Sequence, residues 1–247
     1  AVHLFFEKQA GILRLLLSSS LRKLMFEKIS IHTPRQFVTE ELNPGDWHSL
    51  EPLFDQLERQ MAEANNSTQL EEAIINWEEL SAAIAEENSK RYIAMTCKTD
   101  DKSAEQAHIN FIETVEPEVK KRCYSLSKAL SSHPHRDGLP AKRYEVFTRD
   151  AALEVELFQP ENVPLETETA KIGQQYQKLI GGLTVTFDGE ERTLVQMGIF
   201  LEEPDRTLRQ KAWELTAKRR LDEAEKIDNK LDKLTKRRNQ MSSNAGF

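Results

Sequence analysis

Between Leu183 and Leu194 the chain reads Leu-Thr-Val-Thr-Phe-Asp-Gly-Glu-Glu-Arg-Thr-Leu. β-branched and aromatic residues flank Asp188-Gly189, a pair suited to a two-residue hairpin turn because both turn positions require φ > 0. With that pair as the turn, Leu183 faces Leu194 and Thr184 faces Thr193, so like residues meet across the ladder. Nearly every other segment carries helical periodicity. A lone hairpin is marginal in water, so its strands must lie against flanking helices. The expected fold class is mostly α: antiparallel helical hairpins and a bundle, with one β-hairpin near residues 183–194.

The helices follow from apolar spacing and turn chemistry. Asn43-Pro-Gly-Asp46 marks a turn and a helix start, after an extended stretch from Met25. Trp47, Leu50, Phe54, Leu57 and Met61 then recur at steps of three or four, making one apolar stripe. Thr68-x-x-Glu71 reads as a capping box for a second helix with Leu70, Ile74, Trp77, Leu80 and Ile84 behind it. The short Ala64–Ser67 link makes these two an antiparallel pair. The run Glu87–Asp101 either continues the second helix or breaks it. A third helix shows Phe111, Val115, Val119, Cys123, Leu126 and Leu130 on one face, with a kink expected at Pro117. After a loop at 131–138, Tyr144, Phe147, Ala151 and Leu153 mark a helix running toward Phe158. Leu165, Thr169, Ile172, Tyr176 and Leu179 mark another, stopped by Gly181-Gly182. Past the hairpin, a short helical piece at 196–201 and a turn at Glu202–Asp205 precede a long helical stretch. Leu208, Ala212 and Leu215 start its apolar face, and Ala224, Ile227, Leu231, Leu234 and Met241 continue it.

Residues 1–24 stand apart. Gly11–Leu17 is a short apolar run broken by Arg14, too short to span a membrane. It lacks the unbroken centre and small-residue cleavage site of a signal peptide. The region reads as an extension or mis-start ahead of Met25. Residues 25–247 form a helical lobe, with 25–160 as its first part and 161–247 as helix, hairpin and long helices.

Charge excludes a general nucleic-acid binder: the 247 residues sum to −7. The segment from Pro204 to Met241 is locally basic, with 12 Lys or Arg against 7 Asp or Glu. Lys218-Arg-Arg220 and Lys236-Arg-Arg238 would share one side of an unbroken helix, best read as a solvated or domain-facing stripe. Cys97 and Cys123 form no C-x-x-C pattern, and two buried free thiols in a reducing cytoplasm are expected.

Of the six histidines none belongs to an H-E-x-x-H helix. His133-Pro-His135 with Asp137 could in principle hold a metal, but a loop of this composition is more often surface. The paired carboxylates Glu190-Glu191, Glu202-Glu203 and Asp100-Asp101 read as turns and solvated helix ends. Phosphate-binding glycine loops and the G-x-S-x-G elbow are absent from the sequence. No catalytic, cofactor-binding or metal residue is therefore assigned. Trp47 and Trp77 sit on apolar stripes, whereas Trp213 is flanked by charge.

Six strings in order carry a family resemblance: Glu87–Asp101, Phe158–Glu166, Gln174–Lys178, Thr184–Leu194, Asp205–Trp213 and Asn244–Phe247. Together they resemble the amino-terminal region of oligoendopeptidase F, among the thimet-oligopeptidase-like zinc peptidases, from about Met25 onward. The resemblance implies a helical, clamshell-like enzyme that cleaves short peptides in a closed channel. In that family an H-E-x-x-H helix of a carboxy-terminal domain binds the zinc, and no position of this sequence matches it. The implied expectation is a channel-wall segment, inactive alone, with zinc and short peptides belonging to the full-length enzyme and the catalytic domain as its own partner. Neither nucleic acid nor membrane is an expected partner. Two other readings stand beside this one. Phe200–Trp213 resembles part of a HEAT repeat, although no second copy appears at a fixed period, and a truncated paralogue could bind peptides without hydrolysis. Any such segment is expected to expose an apolar patch where a further domain docks.

Overall fold

The computed structural model describes residues 35–98 and 100–247. The expected extension at 1–24 and the start of the extended stretch lie outside the described residues. The chain divides into two units, Ala1–Glu40 and Glu41–Phe247, and the second contains every element named below. Residues 35–45 run through bends and turns. At their end the Asp46 amide donates to the Asn43 carbonyl at 3.2 Å, closing the expected turn.

Helix α1 spans Trp47–Glu63, and Asp46 caps it by accepting from the His48 amide. Its stripe is buried as spaced: Leu50, Phe54, Leu57 and Met61 are at most 1% exposed, and Trp47 stacks on Phe54. Helix α2 spans Ser67–Cys97, so Glu87–Cys97 continues the helix rather than breaking it. At 31 residues it is roughly 45 Å long. Its cap is Asn66, whose side chain accepts from the Gln69 amide, while Gln69 Oε1 accepts from the Asn65 amide at 2.8 Å. The expected box at Thr68 is thus displaced two residues upstream, because Asn supplies an acceptor to an earlier free amide. Leu70, Ile74, Trp77, Leu80 and Ile84 are all buried. Each such aliphatic side chain contributes about 1.5–3 kcal/mol of transfer free energy.

The expected third helix is an unbroken helical run with a π turn inside it. Helix α3 spans Lys102–Asn110, capped by Asp101. One π-helical turn, Phe111–Val115, joins it to α4, Glu116–Ser131. Here the Glu116 amide donates to the Phe111 carbonyl five residues back. Pro117 falls in the first turn of α4, directly after the π turn. The helical run is unbroken from residue 102 to residue 131, and the π turn takes up the register change ahead of the proline. Phe111, Val115, Leu126 and Leu130 are buried.

Helix α5 spans Ala141–Leu157 and packs on α4, but Leu153 on it points outward at 48% exposure. Helix α6 spans Asn162–Gly181. Strands β1, Thr184–Phe187, and β2, Glu190–Thr193, pair antiparallel with Thr184 opposite Thr193 and Phe187 opposite Glu190. Asp188 and Gly189 have φ of 51° and 83°, the left-handed pair the turn demands. A six-residue 3-10 turn, Gln196–Leu201, leads to α7, Arg206–Leu221. Hairpin, 3-10 turn and α7 share a small core of Val185, Phe187, Met197 and Ala212, flanked by Phe200 and Leu208.

The last stretch is not one helix. Helix α8 spans Ala224–Asn244, separated from α7 by Asp222 and Glu223. The two basic triplets accordingly lie on different helices and do not form one stripe. Lys218 and Arg219 pair with Asp222 and Glu223, while Arg237 reaches Glu168 on α6. Helix α8 lies antiparallel to α6: the buried Asn162 amide donates to the Met241 carbonyl, Lys230 to Gln175. Leu231 remains exposed on it.

Candidate functional site

The second half of α2, undecided in sequence, builds the most developed hollow. Because the helix runs to Cys97, Tyr92, Met95 and Thr96 face the end of α6. From α6 come Gln174, Tyr176, Gln177 and Ile180, and the cavity between them holds about 440 Å³. That volume lies in the range of small-molecule and peptide sites. Two side-chain contacts tie its walls together. The Tyr92 hydroxyl donates to Gln177 Oε1 at 3.0 Å, and the buried Gln174 amide donates to Met95 Sδ at 3.2 Å. A thioether is a weak acceptor, so the Gln174 amide is poorly satisfied for a group 8% exposed.

Charge at the rim is neutralised locally. Lys178 Nζ lies 2.6 and 2.7 Å from the two Glu105 oxygens, linking α6 to α3. Hydrogen bonds from Lys178, then from Lys102, hold the Glu105 carboxyl below the usual carboxylate range, and the bond to Glu105 raises Lys178.

A second hollow of about 300 Å³ shares Tyr92 with the first and is lined by Asn88, Ser89, Ile93 and His108. The Tyr92 ring stands edge-on to the His108 imidazole at 5.7 Å. His108 is only 7% exposed, and its Nδ1 has no hydrogen-bond partner. Burial, then the Arg91 guanidinium, hold its pKa below the usual histidine value. Arg91 itself is fixed by Glu87 and by the Ala107 carbonyl at 2.9 Å, and lies over the Phe111 ring. Asn88 donates through Nδ2 to Glu116 at 3.0 Å, leaving its buried Oδ1 unpartnered. Burial raises the Glu116 carboxyl, opposed by Lys120.

The residues weighed in sequence lie elsewhere. His133 Nε2 lies 3.1 Å from the Met61 carbonyl, and its Nδ1 accepts from the His135 amide. Both nitrogens are thus spent on the backbone, and Asp137 pairs with Arg136. Among the described residues no three His, Cys, Asp or Glu side chains are grouped to hold a metal. Trp47 and Trp77 pack in the core region as spaced, whereas Trp213 is 62% exposed. Cys97 is exposed, contrary to expectation, because the continued α2 carries it past the packed region. Cys123 is largely covered, and burial pushes its thiol up to about 12. No described helix is long and apolar enough to cross a membrane.

Sequence reasoning passed over Asn88, Tyr92, His108, Gln174 and Gln177. Their signal was faint: polar groups occupying positions that turn inward, visible only once α2, α3 and α6 are placed. Four of the five nonetheless fall inside the strings Glu87–Asp101 and Gln174–Lys178 that carried the family resemblance.

Comparison with known proteins bears on the family. Residues 37–158 match the peptidase M3 N-terminal domain. Over those residues the chain is similar to an M3 peptidase N-terminal domain. Among solved structures, PZ peptidase A with inhibitor 2 is similar over 86% of this chain at 29% identity, with a TM-score of 0.77. A structure named as an oligoendopeptidase F is similar over 87% at 27% identity, TM-score 0.74. A third, named as an oligoendopeptidase F from Bacillus anthracis str. Ames, covers 84% at 23% identity with a TM-score of 0.77, a likeness of fold. In each case this chain spans 38% of the other's length. A search of curated proteins gives no match.

Proposed function

We propose that this chain is the substrate-channel part of a zinc-dependent oligoendopeptidase that hydrolyses short peptides, and that it is inactive alone. The observation that carries the reading is the likeness to PZ peptidase A, which runs over 86% of this chain but only 38% of that one. The M3 N-terminal match over 37–158 supports the same family. Zinc would be supplied by the catalytic region of the whole enzyme, since no described residues here group to hold it. Short peptides are the proposed substrates, and the catalytic domain is the proposed partner. The exposed side chains of Val195 at 88%, Ile199 at 68% and Trp213 at 62% offer apolar area for that domain to cover. A cytoplasmic location fits two free cysteines.

The test is a chimaera in which this chain replaces the matched part of PZ peptidase A, assayed with a quenched peptide. Chelator-sensitive hydrolysis by the chimaera is expected, with none from the chain alone in zinc. A folded but inert chimaera would overturn the peptidase reading, and robust chelator-sensitive turnover by the chain alone would overturn its inactivity.

A further inference from the structure

The locally basic segment singled out in sequence forms one side of a hollow between α6 and α8. That hollow holds about 510 Å³. Lys226, Lys230 and Lys233 of α8 line it at steps of four and three residues, with Lys178 and Gln175 of α6 on the other side. Asp228 and Asp232 fall on the opposite side of α8 and do not line it. Among the described residues the one carboxylate in its wall is Glu105 of α3.

Positive charge there exceeds what the described residues neutralise. Glu105 is shared by Lys178 and Lys102, and Glu223, just ahead of α8, is shared by Lys226 and Arg219. Hydrogen bonds hold both carboxyls below the usual carboxylate range, Lys178 leading at Glu105 and Lys226 at Glu223. Two carboxylates thus serve four cations. Lys230 meets only the neutral Gln175 Oε1, at 3.3 Å. Lys233 makes no ion pair among the described residues. Like charges three and four residues apart on a helix repel, so this stripe works against the fold that carries it. Carboxylates are plentiful in a chain of net charge −7, yet none is placed between these lysines. An anion entering the hollow relieves the repulsion.

The spacing sets the class of anion. From Lys226 to Lys233 the helix rises about 10 Å, so a ligand that meets all three lysines carries negative charge at more than one point. A lysine ammonium binds phosphate as a point charge, and the Gln175 amide can donate to a phosphate oxygen. The wall offers no aromatic face on which a base could stack. We propose that the hollow between α6 and α8 is a binding site for a compact polyanion of the oligophosphate class, held by Lys226, Lys230 and Lys233. The site stands apart from the peptidase reading and does not depend on it.

The experiment titrates the full chain with sodium tripolyphosphate by calorimetry and thermal melts at fixed ionic strength, with sulfate and citrate as comparison anions. Saturable binding of tripolyphosphate is expected, at least about tenfold tighter than either. Lys230→Gln with Lys233→Gln should weaken it about tenfold or more, by removing two charged contacts. Lys128→Gln with Lys142→Gln removes the same charge from exposed positions on α4 and α5, and should leave binding unchanged. Without anion, the Lys230/Lys233 double variant should melt at or above the parent, because the repulsion is gone. With saturating tripolyphosphate the parent should melt higher. A rise in melting temperature that never saturates and is shared by sulfate would overturn the site, because it reports exclusion of salt from the surface. Equal weakening by the two double variants would overturn it in favour of net charge. Citrate binding as tightly as tripolyphosphate would overturn the oligophosphate class. A Lys230/Lys233 variant that melts well below the parent without anion would show that these lysines serve the fold, and would overturn the proposal too.

Discussion

At the scale of the residue, His108 couples burial to pH. It is enclosed by the Tyr92 ring and Arg91 on α2, and it shares a hollow with Asn88, which donates to the raised Glu116 carboxyl. Its folded pKa lies below the unfolded value of about 6.5. The unfolded chain therefore binds more protons in the window below about pH 6.5, and stability rises with pH there. The contribution is fully present above the unfolded pKa and is lost as pH falls through the lowered folded value. Thermal melts from about pH 7.5 to 5 should show a steeper loss of Tm for the parent than for His108→Gln. Parallel slopes in the two proteins would remove His108 from the account. Raised Glu116 acts in the opposite sense, gaining stability as pH falls, but does so in both proteins and drops out of the difference.

At the scale of the element, helix starts are set by which side chain first meets a free amide. The α2 start shows how a pattern can name the right helix and the wrong cap. Thr68 and Glu71 have box spacing, yet Asn66 precedes them and its carboxamide already accepts from Gln69. Asn66→Ala should cost about 1 kcal/mol, and Thr68→Ala only a few tenths, measured as urea unfolding free energies. Equal losses would restore Thr68 to the capping role. The π turn at Phe111–Val115 is a similar case. Periodicity linked Phe111 to Leu130 on one face, and both are buried, but it carries no information on the register change that the π turn makes ahead of Pro117. Likewise Asp222-Glu223 interrupts a face that looked continuous from Leu208 to Met241, a break that apolar spacing does not reveal.

At the scale of the whole molecule, the described part of Glu41–Phe247 has an extended helical core and a small second one. The second is the hairpin, the 3-10 turn and the inner face of α7, closed around Phe187, which is fully buried against Phe200 and beneath Lys211. Phe187→Ala should cost about 3–5 kcal/mol locally. Hydrogen exchange followed by mass spectrometry should then show protection lost across 184–221 and retained in α1 and α2. Uniform loss across both regions would show that the two cores unfold as one.

The sequence by itself determined the helical class, the hairpin and its register, and the stripes of α1 and the first half of α2. These depend on residues within a turn or two of each other, through apolar period and the φ that Asp188-Gly189 must adopt. The family strings were also legible, and the M3 match over 37–158 agrees with them. Only the tertiary structure decided where α2 ends and which polar residues turn inward. Tyr92 meets Gln177 across 85 residues of sequence, and Gln174 meets Met95 across 79. No local pattern encodes such pairs, because each polar group is written as though for solvent. Its burial and unmet hydrogen bonds exist only after three helices have packed around it.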